Sequence, residues 1–178
     1  MPFFVRKILF AKWTKDIEGE ITADAVTACL KTYENTLSLW KIDGLVLTEL
    51  EKCVLAMATS EKVEQLNSMT IFCFDEDFFS SNNLNLSHAP TQGKSYISRL
   101  NEFHFDILNL NYSKLKIVGN KIKDEVDNHS TLSKEQLEKK LELRTFTASK
   151  VKAIVKSAIE SKELDINLLH EKVRALFS

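Results

Sequence analysis

Apolar and polar positions along the chain fall into two regimes. Through residue 80 the apolar residues come in short runs rich in Phe, Val, Ile and Cys, separated by helix-sized stretches. Phe3 to Phe10 alternates imperfectly and is apolar on both sides, as a strand covered on both faces would be. Thr22 is placed to cap a short helix in which Val26, Cys29 and Leu30 follow the three-four step. The Asn35 region then turns the chain into a second strand over Thr36–Ile42. Thr48 with Glu51 matches a capping box that opens a helix facing inward through Leu50, Cys53, Val54 and Met57. Met69–Phe74 is the third strand, and the resulting β-α-β-α-β order predicts a small three-stranded sheet with parallel pairs and right-handed crossovers.

The second regime is helical. Ser80–Ser95 is polar and turn-rich, with Leu84 and Leu86 able to form an edge strand. From Ser95 to Asp127 one apolar face recurs at steps of three and four through Ile97, Leu100, His104, Ile107, Leu108, Tyr112, Leu115, Val118, Ile122 and Val126. That spacing predicts a long central helix, or two helices end to end. Helices are expected after it at Ser133–Leu143, Ala148–Ser161 and Asn167–Phe177, with Ser133 and Gln136 as a capping box and Asp165 as a cap. The fold class expected is therefore α+β or α/β. Residues 1–80 form a small α/β region, 81–94 a loop or linker and 95–178 a helical region, together one compact unit.

Composition narrows the class without naming an activity. Hydrophobic residues make up 44% and charged residues 28% of 178, which favours a packed core over disorder. No run approaches the roughly 18 apolar residues of a membrane span, and the basic N-terminus is too interrupted for a signal peptide. Cys29, Cys53 and Cys73 are odd in number, lack a CxxC pair and lie in apolar elements, so they read as reduced core residues of a cytoplasmic protein. Net charge is −1, yet residues 16–80 hold 13 acids against 4 bases and residues 81–178 hold 12 acids against 16 bases. Such polarity suits either an anionic partner or contact between the two halves.

Three stretches carry candidate chemistry. Gly93-Lys94-Ser95 before an expected helix has the glycine, lysine and hydroxyl of a phosphate loop, but His88 stands where that loop needs its first glycine. Asp43 and Asp75 each follow an apolar strand. If those strands were parallel neighbours, both carboxylates would emerge at one edge about 5 Å apart, with Glu76 or Asp77 as a further magnesium ligand. His104 falls on the apolar face of the central helix without an orienting partner, and reads as a buried, satisfied histidine.

The third stretch, from Leu132 to Leu164, resembles the helix-turn-helix of many bacterial regulators. A first helix around Leu137 and Leu141 is followed by a short turn and a second helix with Val151, Ile154, Val155 and Ile159 inward. Between Leu143 and Ile159 stand Arg144, Lys150, Lys152 and Lys156 and no acid, so the resemblance implies phosphate contacts by these bases. No catalytic constellation and no cofactor motif is complete. The sequence alone leads to a non-enzymatic protein acting through macromolecular interaction, with a protein partner or self-association. The alternatives are a nucleic-acid-binding regulator and a magnesium-dependent phosphate-ester or nucleotide enzyme.

Overall fold

A computed structural model describes residues 1–132 and 140–177. Its centre is one six-stranded antiparallel sheet, in the order β6-β7-β4-β1-β5-β8, with helices on both faces. The strands are β1 (Phe3–Ile8), β4 (Leu37–Ile42), β5 (Met69–Asp75), β6 (Asn85–His88), β7 (His104–Leu108) and β8 (Leu143–Phe146). A separate hairpin joins β2 (Asp16–Ile17) to β3 (Glu20–Ile21). Its two-residue turn has positive φ at both Glu18 and Gly19, the backbone a tight hairpin turn demands and one that glycine adopts freely.

The expected parallel sheet is corrected at β1. Phe3 pairs with Ile42 of β4 on one side and with Asp75 of β5 on the other, both antiparallel. β4 and β5 thus run parallel to each other but are never neighbours, because the first strand of the chain lies between them. The sheet also takes strands from both regimes of the sequence, with β7 beside β4 and β8 beside β5.

Covering both faces explains the apolar runs. Val5, Trp40, Ile42, Ile71 and Cys73 point toward α3 (Leu47–Ala58), α5 (Ser98–Asn101), α7 (Ala148–Glu160) and α8 (Glu171–Arg174). On the opposite face Phe4, Ile8, Leu37, Leu39, Phe72, Phe74 and Ile107 pack under α1 (Phe10–Trp13), α2 (Ala23–Cys29), α4 (Glu76–Ser81) and α6 (Tyr112–Ser130). The aromatic share is large on this second face: Phe4, Phe74 and Phe79 meet in edge or tilted pairs at 5.1 to 5.7 Å. Cys29 lies in this layer and Cys53 and Cys73 in the other, all buried and unpaired. Burial pushes the Cys53 and Cys73 thiols far above their ordinary range.

The central stretch is the largest departure from the sequence reading. It is not one helix but α5, then strand β7, then the 19-residue α6. His104 and Asp106 face one layer while Phe105 and Ile107 face the other, so a doubly covered strand presents apolar residues whose spacing imitates a helix. Asn109, with φ of 53°, turns the chain out of β7, and the Asn111 carboxamide caps α6 by accepting from Lys114 N. Other boundaries shift less. Leu47–Ala58 begins at Val46 without the Thr48–Glu51 box, and residues 167–177 give only the turn Ile166–Leu168 and α8. The capping box at Ser133 and Gln136 lies outside the described residues.

Beyond Val5, β1 and β4 separate, and the Arg6 side chain takes over from the ladder. Its guanidinium donates to the Ser38 carbonyl at 2.8 Å and twice to the Cys29 carbonyl at 2.9 and 3.0 Å. Nearby on β7, Asp106 is 5% exposed and its Oδ1 has no hydrogen-bond partner among the described residues. Its negative charge favours the charged guanidinium, against the desolvation that pulls the Arg6 pKa down. Replacing Arg6 by alanine is expected to cost roughly 3 kcal/mol, because two carbonyls lose their donor and the buried Asp106 carboxylate loses a nearby opposite charge. Arg6→Lys is expected to recover little, since an ammonium cannot span both carbonyls. A urea midpoint for Arg6→Ala equal to that of the wild type would show that the guanidinium carries no such load.

His104 supplies a second test. Its Nδ1 lies 2.9 Å from the Ala89 carbonyl and so must carry the proton, and its ring meets Trp40 edge-on at 5.2 Å. Burial holds its pKa below the ordinary 6.5, only partly offset by Asp106. The half-buried His129 is shifted in the same direction, also by desolvation. The unfolded chain therefore binds protons first on acidification. Stability is expected to be level above about pH 7 and to fall as pH drops below 6.5, and His104→Gln should flatten that slope in denaturation midpoints measured from pH 7.5 to 5.

Candidate interaction surface

The sites expected from sequence come apart in the fold. Gly93-Lys94-Ser95 opens no helix: Gly93 follows the turn Pro90–Gln92, and α5 starts only at Ser98. The segment is instead latched in place. Ser95 pairs with Ser60, its hydroxyl lies 2.8 Å from that of Thr59, and the Asn101 carboxamide bonds both Ser95 N and Ser95 O. Gly93 is required by packing, since a Cβ there would fall 2.6 Å from Asn101 Oδ1.

Asp43 and Asp75 do leave the sheet at one edge, but β1 separates their strands by roughly 10 Å, twice the expected spacing. Asp75 is also occupied, capping α4 by accepting from Phe78 N at 2.7 Å, with Glu76 and Asp77 in that helix's first turn. Among the described residues no group of three His, Cys, Asp or Glu side chains is placed to hold a metal.

The helix-turn-helix geometry is interrupted. Its first helix lies largely outside the described residues. In place of the short turn, Leu143–Phe146 is strand β8, with Leu143 and Phe146 buried in opposite layers. The second helix is present as α7, with Val151, Val155 and Ala158 inward. Arg144 stands in β8 opposite Ile71. Lys150 is 2.6 Å from Glu51, Lys156 is 3.7 Å from Glu160, and Lys152 is half-buried. Lys123 likewise approaches Asp16 at 3.9 Å. Bases of the second half thus neutralise acids of the first, which is one of the two uses the charge asymmetry suggested.

A different surface gathers residues that the sequence reading passed over. The β2–β3 hairpin lies along α6, and with Val26 of α2 the two line a small groove through Glu20, Ile21, Tyr112, Leu115 and Gly119. Gly119 sets the depth of the groove. A Cβ there would lie 3.3 Å from the tip of Ile21 and 3.6 Å from Leu30, so even a methyl group fits only if the Ile21 side chain gives by a few tenths of an ångström. Tyr112, at the start of α6, is 83% exposed, and Tyr33 is 75% exposed. The two belong to one end of the molecule, because Leu110 N donates to Asn35 O and ties the Tyr33 turn to the start of α6. Apolar floor, aromatic flank and the polar rim of Glu20, Lys116 and Asn120 form one surface. The sequence signal was the Glu18-Gly19 pair between Ile17 and Ile21, a hairpin turn beside two exposed positions.

Magnesium provides the test of the acid pair. With Asp75 committed to a helix cap and Asp43 beyond β1, 10 mM magnesium chloride is expected to leave the thermal midpoint where matched sodium chloride puts it. A rise that disappears in Asp75→Asn would reinstate a metal site. Among the described residues, no helix is long and apolar enough to cross a membrane. No protein-family model matches the chain, and neither the curated proteins nor the solved structures yield a match.

Proposed function

We propose that this is a soluble cytoplasmic protein that acts by binding another protein, without catalysis of its own, through the groove beside α6. The observation that carries the reading is the size and chemistry of that groove. Its volume of about 90 Å³ is lined chiefly by Ile21, Val26, Leu115 and Gly119. Small-molecule sites usually run from about 300 to 1,000 Å³, so this one suits a single apolar side chain of a macromolecule. A tyrosine that is 83% exposed at its mouth has the rigid, amphipathic character of residues that dominate protein interfaces. Pairing of Lys150 and Lys156 with nearby acids favours this over a phosphate-binding helix.

The partner expected is a protein segment that inserts one bulky aliphatic residue, its neighbours meeting the polar rim. Tyr112→Ala removes an exposed side chain and is expected to leave folding intact while weakening the complex by about 2 kcal/mol or more. The test is quantitative recovery from the native host on immobilised wild type, Tyr112→Ala and Lys156→Ala. A protein lost at least tenfold with Tyr112→Ala and retained with Lys156→Ala is the expected result. If the same partners are retained on all three baits, or nucleic acid alone is retained, the reading fails. Self-association through this groove would instead give a concentration-dependent dimer in light scattering that Tyr112→Ala abolishes.

A further inference from the structure

On the opposite face of the sheet a larger cleft, of about 320 Å³, lies between Lys7 of β1, the start of β5, the end of α3, the first turns of α7 and residues 62–67. Its floor is apolar, made by the buried side chains of Ala58, Leu66, Met69 and Val151. Its walls are polar: Lys7, Lys62, Glu64, Gln65 and Asn67. The volume reaches the small-molecule range that the groove beside α6 does not.

Two observations give the cleft a sign and a capacity to bind. Among the described residues neither Lys7 nor Lys62 has a carboxylate within ion-pair distance, so both ammonium groups keep their full charge for a ligand. In addition, among the described residues the backbone groups of Glu64–Asn67 enter no backbone hydrogen bond, so their polar atoms are left to water or a ligand. The last turn of α3 at Ala58 and the first turns of α7 at Val151 bring helix ends of opposite polarity, which oppose each other, so the side chains set the local potential, two ammonium groups against the single Glu64 carboxylate. Partial desolvation lowers the Lys7 pKa, as it does for an amine at the mouth of a low-dielectric site.

We propose that this cleft binds a small phosphate monoester, with the phosphate between the Lys7 and Lys62 ammonium groups and the organic body on the Ala58, Leu66, Met69 and Val151 floor. Two compact ammonium groups on flexible stems can close on a phosphate dianion from two sides, each serving it as a point charge. Glu64 repels a second anionic group and accepts from a hydroxyl, which favours a neutral, hydroxyl-bearing body. The proposal is independent of the groove beside α6 and involves no bond-making step.

Thermal denaturation of the full chain in phenyl phosphate, inorganic phosphate and sodium chloride at matched ionic strength tests it. Both phosphates are expected to raise the midpoint saturably, with phenyl phosphate acting at lower concentration because it also covers the floor. Lys7→Gln and Lys62→Gln should each weaken the apparent affinity at least tenfold, and Lys156→Gln should leave it unchanged. A rise that chloride reproduces, or that survives both substitutions, overturns the proposal. A second measurement needs no variant: phenyl phosphate should slow acetylation of Lys7 at pH 8 by fivefold or more without slowing that of Lys156. An unchanged Lys7 rate also overturns it.

Discussion

A chain whose first strand becomes an interior strand of the sheet must satisfy that strand on both sides, and here the two sides differ. β1 keeps its ladder with β5 over six residues but its ladder with β4 over only three. Where the second ladder stops, the Arg6 guanidinium supplies three hydrogen bonds to two carbonyls. One of those carbonyls belongs to Cys29, at the end of α2, so the same side chain that closes the sheet also fixes the helix above it. Cys29 Sγ receives the Leu9 amide at 3.1 Å on the other side, which completes the junction. Both surfaces of functional interest depend on this junction. The groove beside α6 uses α2 as a wall, and Lys7, the next residue of β1, projects into the cleft on the far face.

Strand alternation distributes the consequences. Arg6 and Lys7 are adjacent, yet one is bound into the fold and the other faces the cleft, because successive residues of a strand face opposite ways. The apolar groove and the polar cleft therefore lie on different layers. A ligand at one would not obstruct the other, and a substitution in one layer can be read with the other as an internal control.

The elements most legible in the sequence were those with local signals. Thr22 caps α2 as its position implied, accepting from Ala25 N, and the strands at Phe3, Leu37 and Met69 start within a residue or so of the expected points. Strand order was not legible, because a strand apolar on both faces gives no sign of which neighbour it takes. His104–Leu108 shows the same limit, since its residues face both layers, and its own signals are Phe105 and Ile107 at alternate positions and the two asparagines, Asn109 and Asn111, that follow it. Arg144 and Thr145 looked like a turn because they are polar, although Leu143 and Phe146, three apart, serve opposite layers as only a strand allows. The candidate sites failed where they assumed an arrangement in space: neighbouring strands for Asp43 and Asp75, a helix start for Ser95. The groove and the cleft are assembled from three or more separated segments each, which no local spacing records.

The placement of the three cysteines makes the fold report on its own opening. Cys29 is sealed in the layer under α2 and α6, while Cys53 and Cys73 are sealed in the layer under α3 and α7. A thiol-reactive reagent reaches each only when its layer parts from the sheet, and burial keeps Cys53 and Cys73 in the unreactive thiol form until then. The native chain thus carries a separate chemical clock on each side of the sheet. Their relative rates reveal whether the two layers come away together or one at a time, without any label added to the molecule.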